Sequence, residues 1–187
     1  MQPTSRPAPS HRAALPPLFT SFSREVLGPS GHTVADPVAE PESAEYGAVR
    51  LVLNARPTLF RVAKTTPTKV GQFVTVWARS EEGPIRPFDQ TDGITTLIVL
   101  VATPRSTERG LFVFPAAALI ARGVFAQGGT GGKRAFRMYP PWTATTNASG
   151  LTAQRWQAAY FVSLWPESEH SLGSKADTSR LSQLILA

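Results

Sequence analysis

The sequence predicts one α+β domain, in which a mixed or mostly antiparallel sheet is flanked by helices. Two neighbouring segments alternate apolar and polar residues as hairpin strands do, a later segment is almost wholly apolar, and helical patterns lie on either side of this region. The chain has 187 residues, a length that fits one domain with extensions.

The hairpin is predicted from residues 48–54 and 58–64. Both segments are rich in β-branched and aromatic residues, and Arg56-Pro57 between them is typical of a turn. Residues 65–71 are then predicted as a connector, and residues 72–79 as a third strand.

The most apolar segment is residues 96–103, which predicts a central strand buried on both faces of the sheet. Residues 111–114 continue the sheet. Pro115 is predicted to open a helix that ends at Gly123, because proline at the first helical position loses no hydrogen bond. Residues 124–127 predict a short strand.

The last third of the domain is predicted to contain one extended segment and one helix. Residues 133–139 alternate in the manner of a strand. Residues 152–164 predict a helix because Trp156, Tyr160 and Phe161 recur at helical spacing.

The ends of the chain are less apolar than its centre. The predicted organisation is a disordered tail at residues 1–14, a domain at 15–165 and a tail at 166–187 that is ordered in part at most. Near the start of the domain, residues 15–27 predict an amphipathic helix, and residues 32–43 predict a linker or a loop packed on the surface. Residues 181–186 predict a weak terminal helix.

Composition excludes several classes of protein. Cysteine is absent, so disulfides, thiolate zinc sites and cysteine nucleophiles are excluded. The longest apolar runs have the length of strands, well short of the ~20 residues of a membrane helix. The N-terminus lacks the apolar core of a secretory signal. These features predict a cytoplasmic protein.

The positive charge is concentrated in the central part of the chain. Residues 45–157 contain 14 basic and 6 acidic residues, whereas the flanking segments contain 5 basic and 7 acidic ones. A basic folded surface attracts phosphates through long-range steering and counterion release. The sequence therefore predicts an anionic partner, and nucleic acid is the leading candidate, although a basic surface also serves solubility alone.

Two groups of basic residues are candidates for binding nucleic acid. The first combines cations and aromatic rings, as single-stranded nucleic-acid sites do, and comprises Lys133, Arg134, Arg137, Tyr139 and Trp142. Alternation predicts that Lys133, Ala135, Arg137 and Tyr139 share the exposed face of their strand. The second group lies on and after the hairpin and comprises Arg50, Arg61, Lys64 and Lys69.

A metal-dependent nuclease is the alternative enzymatic interpretation. Glu45, Asp89 and Asp92 are the candidate acidic ligands for Mg²⁺, and Lys64 is the candidate group for stabilising developing charge. The spacing of an acid two residues before a lysine is absent, because Val62 stands at that place before Lys64. All three histidines lie in the flanking segments, which disfavours histidine-based catalysis.

The glycine-rich run at residues 128–132 is not a phosphate-binding P-loop. The P-loop pattern requires glycine where Gln127 stands and serine or threonine where Arg134 stands. The run also leads into a strand-like segment, so it lacks the helix N-terminus that stabilises a phosphate.

Several phrases of the sequence carry a resemblance to a known family, at residues 45–48, 60–77, 87–89, 112–115, 132–137, 139–142, 154–157 and 160–161. They resemble those of the MepB-like family, and the resemblance covers roughly residues 15–165. The resemblance implies a fold likened to restriction-endonuclease-type nucleases, and nucleic-acid binding. It would place Lys64, Lys69 and Gln72, together with Lys133, Arg134 and Arg137, near a nucleic-acid groove. It implies no settled activity.

Three functional hypotheses remain open from the sequence. The leading one is a module that binds DNA or RNA with little sequence preference and requires no cofactor. The second is a nuclease, the only case in which Mg²⁺ is expected. The third is an interaction protein whose basic face binds an acidic protein.

Overall fold

The computed structural model describes residues 13–79, 83–104, 106–165 and 175–186. In chain order its helices and strands are α1 (Pro17–Phe22), β1 (Val34–Ala39), β2 (Val49–Leu53), β3 (Arg56–Val62), β4 (Lys64–Thr66), β5 (Lys69–Thr75), β6 (Trp77–Arg79), β7 (Ile85–Pro87), β8 (Thr96–Ala102), β9 (Arg109–Pro115), α2 (Ala116–Ala121), β10 (Ala135–Met138), α3 (Ala148–Ala158), β11 (Phe161–Trp165), β12 (Lys175–Ala176) and α4 (Thr178–Leu186).

A seven-stranded sheet with the order β1-β2-β3-β8-β9-β11-β12 forms the centre of the protein. Its neighbouring strands are antiparallel except for β3 and β8, which are parallel. A parallel pair requires a long crossover. Here β4 to β7 supply it, and they form a three-stranded sheet (β10-β5-β4) and a two-stranded sheet (β6-β7).

Two hydrophobic cores lie on opposite faces of the central sheet. The first packs α1, the π-helical turn Ser23–Leu27 and α4 against one face. The second packs the small sheets and α2 against the other face. Strand β8 contributes Ile98 and Leu100 to the first core and Leu97 and Val99 to the second, which confirms that it is a central strand buried on both sides.

The α+β class is confirmed, as are the hairpin β2–β3, the helix after Pro115 and the strand at β10. The N-terminal helix is also present, although its last turn is a π-helix. Most of the predicted disordered tail lies outside the described residues. Among the residues that the structure describes, no helix has the length and apolar character to cross a membrane.

The predicted linker at residues 32–43 is wrong, because this segment contributes the edge strand β1 to the central sheet. Its pairing with β2 is interrupted between Ala35 and Val38, where Asp36 has a φ of 47° and Pro37 lacks an N–H. The interruption removes the regular alternation by which strands are recognised. Bulges and proline are typical of edge strands that avoid pairing with another chain.

The position of the hairpin turn and the strands of the crossover also differ from the prediction. The hairpin turn lies at Asn54-Ala55, whose φ angles are both positive, rather than at Arg56-Pro57. The predicted connector at 65–71 is part of the hairpin β4–β5, and the predicted strand at 72–79 is divided between β5 and β6. Alternation continues through this division, so the pattern does not reveal that the two strands belong to different sheets.

The short strand predicted at residues 124–127 is reduced to isolated bridges. Ala126 pairs with Asp89, and Gln127 pairs with Thr130. Further backbone hydrogen bonds hold this segment. The Ala126 N–H donates to the Phe88 carbonyl oxygen, and the Val124 carbonyl oxygen accepts from the Lys133 N–H.

The predicted helix at residues 152–164 is also wrong in its second half. Helix α3 begins after Asn147, whose side chain accepts a hydrogen bond from the Gly150 N–H at 2.7 Å, and it ends at Ala158. From Phe161 onward the chain is strand β11, paired with β9. The sheet edge at β9 offers these residues backbone partners, and pairing there overrides the helical spacing of the aromatic residues.

A helix is present near the C-terminus, as residues 181–186 predict, and this helix, α4, belongs to the core. Helix α4 places Leu181, Leu184 and Ile185 in the first core, and Leu181 is fully buried. The spacing of these three residues is that of one helical face. The Arg56 guanidinium donates to the Ile185 carbonyl oxygen at 3.0 Å and ties the end of α4 to β3.

His32 joins the hairpin turn to α4. Asn54 accepts the Thr33 N–H through Oδ1, so its amide group donates to Nδ1 of His32 at 2.8 Å. The other ring nitrogen, Nε2, lies 3.2 Å from the Ser182 hydroxyl oxygen. The neutral ring with its proton on Nε2 satisfies both contacts.

We expect His32 to make the fold less stable at mildly acidic pH. Burial lowers the pKa of His32 from its ordinary value of 6.5. The unfolded chain therefore binds the proton first, and stability is lost as pH falls below about 6.5. Urea unfolding between pH 7.5 and 5.5 should show this loss in the native protein and a flatter profile in His32→Gln. Parallel profiles would contradict the assignment.

Candidate nucleic-acid interface

The three-stranded sheet β10-β5-β4 has one buried face and one half-exposed face. Val74, Val76, Phe136 and Met138 point into the second core. The residues between them alternate to the outer face, on which Ala135, Arg137 and Tyr139 are half-exposed. The burial of β10 confirms the alternation predicted for this segment.

A row of cations and aromatic rings crosses the outer face. Lys64 pairs in register with Phe73, and Phe73 with Arg137, so the three side chains lie side by side on three strands. The Arg137 Cζ is 5.9 Å from the centre of the Phe73 ring. The Lys64 Nζ is 4.7 Å from the centre of the Tyr46 ring, which lies 6.2 Å from that of Phe73. We call these four residues the cation–aromatic row.

The guanidinium of Arg137 is held in place by the β4–β5 turn. Its Nη1 donates to the carbonyl oxygens of Lys69, Val70 and Gly71 at 3.2–3.4 Å, and its Nη2 donates to the Thr66 hydroxyl oxygen at 3.1 Å. These acceptors are uncharged, so the positive charge is oriented without being neutralised.

The outer face continues in both directions from the row. At one end the Tyr139 ring lies against Gly71, where an added Cβ would come within 3.0 Å of it. At the other end Arg79 lies over the half-exposed Trp77, with its Cζ 5.8 Å from the ring centre. Half-exposed aromatic rings therefore lie beside Gly71, at Phe73 on β5 and at Trp77 on β6, and cations cover the last two.

Lys133 and Arg134 enter β10 beside this second aromatic group. The Val76 N–H donates to the Arg134 carbonyl oxygen at 2.8 Å, which extends the register of β5 and β10 by one residue and pairs Arg134 with Val76. Both basic side chains are exposed. Among the described residues neither Lys133 nor Arg134 forms an ion pair, and the same holds for Lys69.

Four of the residues predicted to bind nucleic acid lie elsewhere. Arg61 is 1% exposed and is paired with Glu40, while Arg50 bonds to the same carboxylate and lies over the Phe88 ring. Gln72 faces inward, and its Nε2 donates to the Ala102 carbonyl oxygen. Trp142 packs edge-on against Phe161 at the border of the second core.

The three candidate acidic ligands are engaged in separate interactions. Glu45 bonds to Lys64 at 2.8 Å. Asp92 forms a two-bonded ion pair with Arg86, and this hydrogen bonding lowers the pKa of Asp92. Asp89 accepts from the N–H groups of Gly129 and Thr91, which lowers the pKa of its carboxyl.

The described residues contain no group of three or more histidine, aspartate or glutamate side chains that could hold a metal ion. Asp89 and Asp92 instead form the capping box of the 3₁₀ turn Gln90–Asp92. Asp89 also anchors the glycine-rich loop, with which it lines a surface cleft of about 340 Å³. A carboxylate thus holds the loop through the Gly129 N–H group.

The sequence interpretation did not include Tyr46, Phe73 or Trp77 among the site residues. The signal was present for two of them, because Phe73, Thr75, Trp77 and Arg79 occupy every second position of one segment. Tyr46 is not on a strand. It reaches the face from the 3₁₀ helix Pro41–Tyr46, a placement that depends on tertiary packing.

The fold and this face define a small α+β protein with a basic and aromatic sheet surface. The chain matches the family model described as MepB-like over residues 40–163, and it belongs to the MepB-like family. Its structure is similar to the crystal structure of MepB, with 31% sequence identity, a TM-score of 0.66 and coverage of 78% of this chain and 93% of that one. No curated protein matches the chain.

Proposed function

We propose that this protein binds nucleic acid on the outer face of the β10-β5-β4 sheet. The observation that carries the proposal is the cation–aromatic row, in which Lys64 and Arg137 flank the half-exposed Phe73 ring and the buried Tyr46 ring lies against Lys64. Single-stranded nucleic-acid sites combine such features, because rings stack on bases of any type and cations follow the phosphates. The binding is therefore tolerant of sequence and requires no cofactor.

The geometry favours a single strand over a duplex. Phe73 on β5 and Trp77 on β6 are both half-exposed, whereas Val74 and Val76 beside them point into the second core. A duplex presents stacked bases that flat sheet surfaces do not reach, whereas an extended single strand exposes its bases to both rings. Lys69 and Lys133 lie at the two ends of this path and contact the backbone.

The proposal is tested by binding of labelled single-stranded DNA and RNA, with duplexes of equal length, at two salt concentrations. Lys64→Gln/Lys69→Gln should weaken single-strand binding about tenfold and reduce the salt slope by about 1.4, since each lost phosphate contact contributes about 0.7. The matched control is Arg24→Gln/Arg155→Gln, which removes two exposed arginines from other elements. Equal losses of affinity in both variants would mean that net charge, and not this face of the sheet, is responsible for binding.

Two arms of the same experiment address the other hypotheses. In the first, magnesium is added and the strands are run on a denaturing gel. Fragments would support the nuclease hypothesis, with Glu45, Asp89 and Asp92 as its candidate ligands. An acidic protein of matched charge is offered in parallel. Binding to that protein without binding to DNA or RNA would favour the interaction-protein hypothesis and contradict ours.

A further inference from the structure

Three carboxylates lie in one short segment next to the proposed interface. Residues 40–46 contain Glu40, Glu42 and Glu45, and we call this stretch the acidic segment. Most of it is the 3₁₀ helix Pro41–Tyr46, which packs on β5. All three carboxylates form ion pairs: Glu40 with Arg50 and Arg61, Glu42 with Arg79, and Glu45 with Lys64.

Glu42 and Glu45 pair with cations of the proposed interface. Glu45 Oε2 lies 2.8 Å from Lys64 Nζ, and Lys64 belongs to the cation–aromatic row. Glu42 Oε1 lies 3.3 Å from Arg79 Nε, and Arg79 covers the Trp77 ring. Carboxylates of the acidic segment thus pair with the cations that a phosphate backbone would contact.

The backbone of the segment is anchored, whereas these two side chains are not. Glu40 is held by the buried Arg61, and Tyr46 is 9% exposed. The side chains of Glu42 and Glu45 are 48% and 67% exposed. Exposed ion pairs contribute little to stability, so their carboxylates can rotate into solvent while the segment stays in place.

We propose that Glu42 and Glu45 compete with nucleic acid for Arg79 and Lys64, and that they thereby set the affinity of the interface. The inference rests on the proposed function. A phosphate that approaches either cation displaces the carboxylate, which must then remain near the negative strand. The displaced carboxylate and the phosphates repel each other because both are negative. The acidic segment therefore lowers the affinity for the bound strand and keeps binding reversible.

The test compares two doubly neutralised variants in the single-strand binding assay. Glu42→Gln/Glu45→Gln should bind about five- to tenfold more tightly than the native protein at low salt, because two competitors are removed. Glu25→Gln/Glu108→Gln carries the same change in net charge away from the interface and should gain less than twofold. Thermal unfolding should place both variants within a few degrees of the native protein.

A second measurement separates local competition from general charge. If Glu45 acts through Lys64, the gain from Glu45→Gln should disappear in the Lys64→Gln background. A gain that persists there, or equal gains in the two double variants, would overturn the inference while leaving the proposed function intact. If the native protein and all variants fail to bind, the proposed function is wrong and the inference is wrong with it.

Discussion

Replacing Glu40 with alanine is expected to lower the free energy of unfolding by about 3–5 kcal/mol. Glu40 is the counter-ion of Arg61, which is 1% exposed and has a buried Nε without a hydrogen-bond partner. Burial lowers the pKa of the Arg61 guanidinium, and the Glu40 carboxylate opposes that shift. Without the carboxylate, a charge remains in the core unpaired. Urea unfolding measures the effect.

The control for this prediction is two residues away. Glu42→Ala removes a carboxylate from a half-exposed ion pair and should cost less than about 1 kcal/mol. The reason for the Glu40 effect is tested by Glu40→Ala/Arg61→Met, in which the buried charge is also absent. This double variant should recover much of the lost stability. If it is less stable than Glu40→Ala, the unpaired charge is not the cause.

Replacing Leu181 with alanine is expected to lower the free energy of unfolding by about 2–5 kcal/mol. Leu181 is fully buried and packs in the first core with Leu184 and Ile185. Its truncation leaves a cavity beneath α4 as well as losing apolar contact.

The exposed Gln183 on the same helix supplies the comparison, because Gln183→Ala should change stability by less than about 0.5 kcal/mol. Chemical denaturation of both variants gives the two values. Equal and small effects would mean that the packing of α4 adds little to the stability of the fold.

Strand β10 illustrates the part of the site that could be predicted from the sequence. Its alternation assigned Arg137 and Tyr139 to one face and Phe136 and Met138 to the other, and the burial of these residues agrees. The prediction succeeded because adjacent side chains of a strand point to opposite faces whatever lies around them.

The grouping of Arg61 with Lys64 on one side of the sheet departed from this rule, because residues three apart on one strand point to opposite faces. Both are basic residues at the end of one predicted strand, yet Arg61 lies beneath the second layer and Lys64 lies on its surface. Alternation specifies the face of a sheet, but it does not specify whether another layer covers that face. The crossover that forms the layer is not visible in the periodicity of β3.

The sequence by itself determined the α+β class, the buried central strand, the central hairpin and the basic character of the domain. These features follow from local alternation, apolar content and charge, all of which are properties of short segments. Only the tertiary structure decided that residues 161–165 form a strand, that α4 completes the core and that Tyr46 joins the cation–aromatic row. Each of these depends on a partner distant in the chain, whose packing overrides or completes the local preference.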